Sequence, residues 1–270
     1  MIEKKLKSIH ELENEANLLN DLVQSTRKHP SQYIKNILFR GHSDSTWDLS
    51  TTLERYTTKR YMTASYNYML YTLSCSVNSL TSEKWEIDTE GETKSDIFFA
   101  PKNYEFLIYA RHHGFPSPLL DWTRSLYVAL YFAYANTNKC GDGDVAIYCF
   151  IDSLKGGSKS GWVGAPEIHV LPPHVTTHRR HYMQQAQYTC AVEHKDEKWY
   201  YCPHTGALEA GIGNAQDLLY KFLLPASLRT EILKKLNEMN INGFTLFGNE
   251  EGLMESVAFQ EITLKENDSP

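Results

Sequence analysis

The stretch Asn36–Ser50, NILFRGHSDSTWDLS, ends an apolar run on an arginine and a glycine, and His42, Ser43 and Asp44 follow at once. Arginine stays charged and presents a planar fork of donors that fits two anionic oxygens. Arg40 is therefore a candidate anion clamp, with Gly41 expected to let a ligand approach the backbone closely and His42 adding a further polar group at the same mouth. The plain structural alternative is a buried Arg–carboxylate pair that pins a strand end. Short motifs of this kind also recur by chance.

A second stretch, ARHHGFPSPLLDWTRSLYVALYFAYAN, places Asp121, Trp122 and Thr123 before a helical pattern. Asp121 and Thr123 fall in the expected N-cap region, where either can accept from unpaired amides. Trp122 is a broad apolar plate with one donor. Together they suit a pocket wall facing Arg40, with Leu126, Ala129, Leu130 and Phe132 as ordinary helix core. His112, His113 and Asp121 could also serve as acid and base in phosphodiester hydrolysis. A third stretch, PPHVTTHRRHYMQQAQYTC, holds His174, His178 and His181 at a spacing that would ligate zinc on a helix. Pro172, Pro173 and the β-branched Val175, Thr176 and Thr177 oppose that helix, so no metal is expected. Gln184, Gln185 and Gln187 enter the next strand. A glutamine can hold a ribose hydroxyl or an amide but cannot act as a general base.

Other chemistries lack their motifs. No GxGxxG follows a strand, no GxxxxGK[ST] phosphate loop occurs, and no GxSxG elbow is present. The chain has 270 residues, a net charge of -6, 41% hydrophobic and 12% aromatic residues, enough for one sizeable core. The acidic balance gives no bulk attraction to nucleic acid or anionic membranes. No run approaches the roughly 20 apolar residues of a membrane span, and the charged first residues lack a signal-peptide core. Cys75, Cys140, Cys149, Cys190 and Cys202 are odd in number and scattered, which suits free thiols in a cytoplasmic protein.

The elements that must position these residues follow from periodicity. Ile9, Leu12, Ala16, Leu19 and Leu22 share one helical face, and Tyr33–Arg40 reads as a strand. Helices are expected within Ser50–Ser79, over Tyr104–Arg111, over Arg124–Asn136, over Ala226–Met239 and from Asn249 to Glu261. His112–Thr123, rich in Gly and Pro, reads as a loop. Val145–Ile151, EIHVLPP and AQYTCAV read as strands, CGDGD as a turn and GGSKSG as a loop. The mixture has no βαβ rhythm, so the class is α+β: one mixed domain over 31–262, with a helical extension over 1–30, an exposed excursion over 80–98 and a tail over 263–270.

Four segments in order resemble FRG-domain proteins: ILFRGHSDSTWDLSTTLER, ARHHGFPSPLLDWTRSLYVALYFA, RRHYMQQAQYT and INGFTLFGNEEGL. Arg111, Ser117, Pro118, Ala186 and Tyr188 depart from that family's usual residues. The motif order is also similar to ADP-ribosyltransferases. That resemblance implies a split sheet, with NAD as substrate, for a transferase or NAD glycohydrolase acting as a bacterial or phage toxin or defence effector. It assigns catalytic roles to Arg40, Asp121, Thr123 and Gln184, and cofactor contacts to Arg40, Gly41, His42, Trp122, Ser125 and Tyr131, with Tyr127 as a further stacking candidate. Cleaving the nicotinamide–ribose bond develops oxocarbenium character, which a carboxylate steadies. Gln184 cannot supply that charge, so Asp121, Glu193 or Asp44 would have to. The competing reading is a module that binds a nucleotide, or a nucleic-acid end, without catalysis.

Overall fold

The structure, a computed structural model, describes residues 1–26, 37–81, 84–89, 101–135, 143–152, 165–172, 175, 179–213 and 217–265. Eight strands form one sheet in the order β1 (Ile2–Lys5), β8 (Leu218–Pro225), β4 (Asp144–Ile151), β2 (Ile37–His42), β3 (Leu119–Thr123), β6 (Ala186–Lys195) and β5 (Glu167–Val170), and β7 (Lys198–Tyr201) also pairs with β6. Only β1 and β8 run parallel; the other neighbours are antiparallel.

One joint in this sheet is weak. β4 and β8 pair over eight positions and β2 and β4 over six, but β2 and β3 share a single pair, Phe39 with Thr123. Beyond that rung, Arg40–His42 and Leu119–Trp122 run without pairing to each other. The sheet is split there, with a full ladder behind each lip.

Side chains alternate across a sheet, so the registers assign every strand residue to a face. On one face, Phe39, Ile147, Cys149 and Phe222 meet α1 (Ile9–Ser25), α5 (Leu126–Tyr134) and α8 (Arg229–Glu238) through Leu12, Ala129 and Ile232. On the same face, across the split, Leu119, Tyr188, Cys190 and Tyr201 meet α3 (Thr63–Leu80) and α4 (Tyr104–His112) through Tyr66, Leu70, Phe106 and Leu107. The opposite face carries a third core of Leu38, Leu120, Trp122, Tyr148, Phe150 and Leu219, covered by α7 (His204–Gly213) through Ala207 and Leu208. The split therefore runs between two separately packed helical layers.

Most expected elements form within a few residues. The strands β1, β3, β7 and β8 and the short helices at Arg179–Met183, His204–Gly213 and Gly243–Phe247 were not legible. Asp121 belongs to a strand rather than to a loop or an N-cap, because Leu119, Leu120 and Trp122 bury against the layers on both sides. The N-cap of α5 is Ser125, whose hydroxyl accepts from the Val128 amide. The GFTLF segment is a short helix, α9 (Gly243–Phe247), followed by α10 (Glu250–Ala258) and a π-helix over Phe259–Leu264. The N-terminal segment builds into the main structure, since β1 joins the sheet and α1 supplies Leu12, Ala16 and Leu19 to its core. Within the expected excursion, Trp85 packs on Phe106 and Tyr109 and is held by Asn78; 82–83 and 90–98 lie outside the described residues. The GGSKSG loop, His174 and His178 also lie outside them, and no group of metal-ligating side chains occurs among the described residues.

Candidate anion-binding cleft

A cavity of about 840 Å³ opens in the split. The β2 lip contributes Phe39, Arg40, Gly41 and His42. The β3 lip contributes Asp121, Trp122 and Thr123. Trp47 and Arg55 come from the segment after β2, His112 from α4, Arg180 and Gln184 from α6 (Arg179–Met183) and its end, and Phe247 from α9. Three arginines, Arg40, Arg55 and Arg180, and two carboxylates, Asp48 and Asp121, face it.

Arg40 crosses the split. Its Nη1 donates to the Asp121 main-chain carbonyl at 2.6 Å, and its Nε donates to His42 Nε2 at 2.9 Å. An arginine nitrogen can only donate, so His42 Nε2 is the lone-pair nitrogen. The imidazole proton sits on Nδ1, where it meets the Trp47 carbonyl at 3.3 Å. Burial, then the adjacent Arg40 charge, lowers the His42 pKa to about 3, so the ring is neutral. Burial also lowers the Arg40 pKa, to about 10; Asp121 offsets part of this, while Arg111 and Arg55 add to it. Arg40 remains a cation near neutrality, but both atoms that it bonds are neutral.

Asp121 is committed elsewhere. Its carboxylate takes a two-pronged hydrogen bond from Arg111 Nε and Nη2, and Arg111 Nη1 reaches Thr52 Oγ1 at 3.1 Å in α2 (Thr52–Tyr56). Burial works against ionising Asp121, but the charge and hydrogen bonds of Arg111 outweigh it, and Arg40 contributes further, so the carboxyl stays below its usual range. The Arg111 side chain is 9% exposed, whereas 41% of the Asp121 side chain remains open on the cleft side. Arg111, a departure from the usual family residue, is thus the partner of Asp121. The Arg–carboxylate pair considered for Arg40 exists, but Arg111 owns it.

Of the sequence-nominated residues, Arg40, Gly41, His42, Asp121, Trp122, Thr123 and Gln184 meet at the cleft. Several do so in other roles. A Cβ on Gly41 would lie 1.9 Å from the Ala129 carbonyl oxygen, so the glycine serves the close packing of α5 on β2 rather than ligand approach. Trp122 also lines the cleft, but its ring is almost wholly buried, packed on Phe150 and donating to Thr189 Oγ1 at 2.9 Å, so little of it is open to a ligand. Thr123 Oγ1 donates to the Gln184 carbonyl at 2.8 Å and accepts from the Ser125 amide, tying the β3 end to the α6 end. Gln184 Nε2 donates to the Leu246 carbonyl at 3.2 Å. Ser125 and Tyr127 line a different, polar cleft beside α1, and Tyr131 lines a cavity on the other side of Phe132. Tyr127 donates to Glu13 and Tyr131 to Glu255. Glu193 pairs with Arg60, and Asp44 accepts from Thr46; neither carboxylate faces the cleft. His112 meets the Tyr188 hydroxyl at 3.1 Å, and exposed His113 lies on Tyr109, so the acid–base trio for hydrolysis is not assembled.

The residues that periodicity missed are Trp47, Arg55, Arg180, Phe132 and Phe247. Trp47 is 42% exposed, with its ring 6.0 Å from that of His42, and is the aromatic plate actually available at the mouth. Arg55 Nη1 donates to the Ser50 carbonyl at 2.6 Å. The Arg180 guanidinium lies over the Phe247 ring, 5.6 Å from its centroid.

Residues 35–141 match the family model of the FRG domain. Over those residues the chain is similar to FRG-domain proteins. The match runs from β2 through α5 and so includes Arg40, Trp47, Arg55, Arg111 and Asp121, while Arg180, Gln184 and Phe247 come from beyond it. No curated protein and no solved structure matches the chain. No helix among the described residues is long and apolar enough to cross a membrane.

Proposed function

We propose that the cleft binds a phosphate-bearing nucleotide, with Arg40 and Arg55 on the phosphates and Trp47 against a ring. One observation carries the reading. Arg40 is a desolvated cation bonded only to a neutral imidazole and a carbonyl, with Arg55 and Arg111 close enough to oppose its charge. The carboxylate within reach, Asp121, offsets only part of that charge because it is paired with Arg111. An anion in the cleft relieves that strain and meets a charge-assisted donor on arrival. The volume lies within the roughly 300–1,000 Å³ of small-molecule sites.

NAD is the first ligand to test, since its pyrophosphate suits the arginines and its rings suit Trp47. Turnover is a second reading. Ionised Asp121, with one side open to the cleft, is the group that would steady an oxocarbenium centre in an ADP-ribosyltransferase or NAD glycohydrolase, and a toxin or defence role would follow from that activity. Its charge is shared with Arg111 and it faces three arginines, which favours anion binding over cation stabilisation. Calorimetry with NAD, ADP-ribose and inorganic pyrophosphate, on wild type and Arg40→Met, tests the binding reading; chromatography of the NAD mixture, with Asp121→Asn alongside, tests turnover. Saturable binding that Arg40→Met abolishes, without product, is the expected result. Binding that Arg40→Met leaves intact removes the proposal. NAD loss that requires Asp121 promotes the enzyme reading.

A further inference from the structure

A second cavity, of about 620 Å³, lies behind the cleft among α5, α8, α9, α10 and the π-helix. The two cavities share a wall, because Phe132 and Phe247 line both. Those rings meet edge to face at 6.1 Å. Arg180 marks the boundary: its guanidinium caps the Phe247 ring and its Nε donates to the Phe247 carbonyl, on the side of the arginine cleft.

The second cavity presents apolar surface. Leu233, Ile241, Phe259 and Ile262 extend the two phenylalanines. Its polar side chains are turned to internal partners. The Tyr131 hydroxyl donates to Glu255, Asn237 accepts from Asn242 and Gln260, and Arg229 donates to the Tyr134 carbonyl while lying over Phe259. Its floor is rigid. Gly243 and Gly252 pack so closely that a Cβ on Gly252 would stand 2.5 Å from the Gly243 carbonyl oxygen, fixing α9 on α10. Its rim is unusual, since Phe259, Ile262 and Thr263 stand on the π-helix. Wide turns of that kind are rare and recur at functional sites.

An anion site that shares two aromatic rings with an apolar cavity fits an amphipathic ligand. Resting on the anion-binding reading above, we infer that the second cavity is the subsite for an apolar group carried by the phosphate-bearing ligand, with the phosphate on Arg40 and Arg55 and the apolar group passing Arg180 and the Phe132–Phe247 wall. The ligand class is then a phosphate ester with a substantial apolar or aromatic substituent, and bare phosphate or a small polar phosphate would fill only half of the site.

The test uses the full chain and a graded pair of probes, methyl phosphate and hexyl phosphate, with affinities measured by calorimetry. Wild type should bind hexyl phosphate at least about tenfold more tightly than methyl phosphate, the gain that burial of two methylenes already provides. Ala258 lines the second cavity from the exposed surface of α10, so Ala258→Trp fills the space without entering a core. That variant, checked for folding by circular dichroism, should reduce the hexyl-to-methyl ratio to near one. Arg40→Met should weaken both probes. Equal affinities in wild type, or a ratio that survives in Ala258→Trp, overturn the second subsite and leave the anion site standing. Failure of wild type to bind either phosphate removes the anion reading and this inference together.

Discussion

Two partly buried arginines stand on the two lips of the split, and they are not alike. Arg111, behind the β3 lip, closes on Asp121 with both prongs of its fork, and charge meets charge. Arg40, on the β2 lip, spends its donors on a neutral ring and a main-chain oxygen. The first is charge-matched within the protein; the second has no charged hydrogen-bond partner of its own, which is why the proposal above places an anion beside it. An arginine's burial therefore says little about its role until the charge of its partners is known.

The contrast can be broken by substitution. Asp121→Asn should cost the most, about 3 kcal/mol in urea unfolding, the low end of what breaking a buried pair costs because the aspartate is half open to the cleft. Stability equal to wild type would mean that Arg111 is not framework. Gly41→Ala should come next, at about 2 kcal/mol, since its methyl group must displace the α5 backbone at Ala129. A variant as stable as wild type would return Gly41 to the ligand-approach role that the sequence suggests.

A smaller effect sharpens the β2 lip. The His42 pKa is held near 3 in the folded protein against 6.5 when unfolded, so the unfolded chain takes up the proton first as pH falls. The stability provided by neutral His42 is intact above about pH 6.5 and drains away below it, by about 1 kcal/mol on going down to pH 5.5. Thermal unfolding of His42→Asn beside wild type should show a shallower acid slope for the variant; parallel slopes would refute the lowered His42 pKa. Arg40→Met should change stability least, by under about 1 kcal/mol in either direction, because it removes a desolvated charge along with its two hydrogen bonds. The same variant should bind no anion, which separates it from Asp121→Asn in kind as well as size.

Much of this layout was legible in the residues. Apolar periodicity located α1, α4, α5, α8 and strands β2, β4, β5 and β6, and the FRGH and DWT stretches do meet at one cleft. The failures have physical causes. β1 is too charged to read as a strand because it lies at a sheet edge with solvent beside it. Trp122 looked like a stacking plate because spacing does not say how deeply a ring is buried, and this one is packed against Phe150. Asp121 read as a cap because the turn chemistry of Pro116 and Pro118 masked a short strand buried on both sides. Arg180, Phe132 and Phe247 could not be assigned to the cleft at all, since distant segments deliver them and only the fold makes them neighbours.

The single Phe39–Thr123 rung has a mechanical meaning. Each half of the sheet has its own ladder and, on one face, its own helical layer; the two are stitched at one backbone position, by the reach of Arg40 to the Asp121 carbonyl and, on the opposite face, by the shared core in which Trp122 packs on Phe150. A molecule gripped by Arg40 and Arg55 on one side and by the β3 lip on the other would add a cross-brace on the open face, so filling the cleft would stiffen the seam.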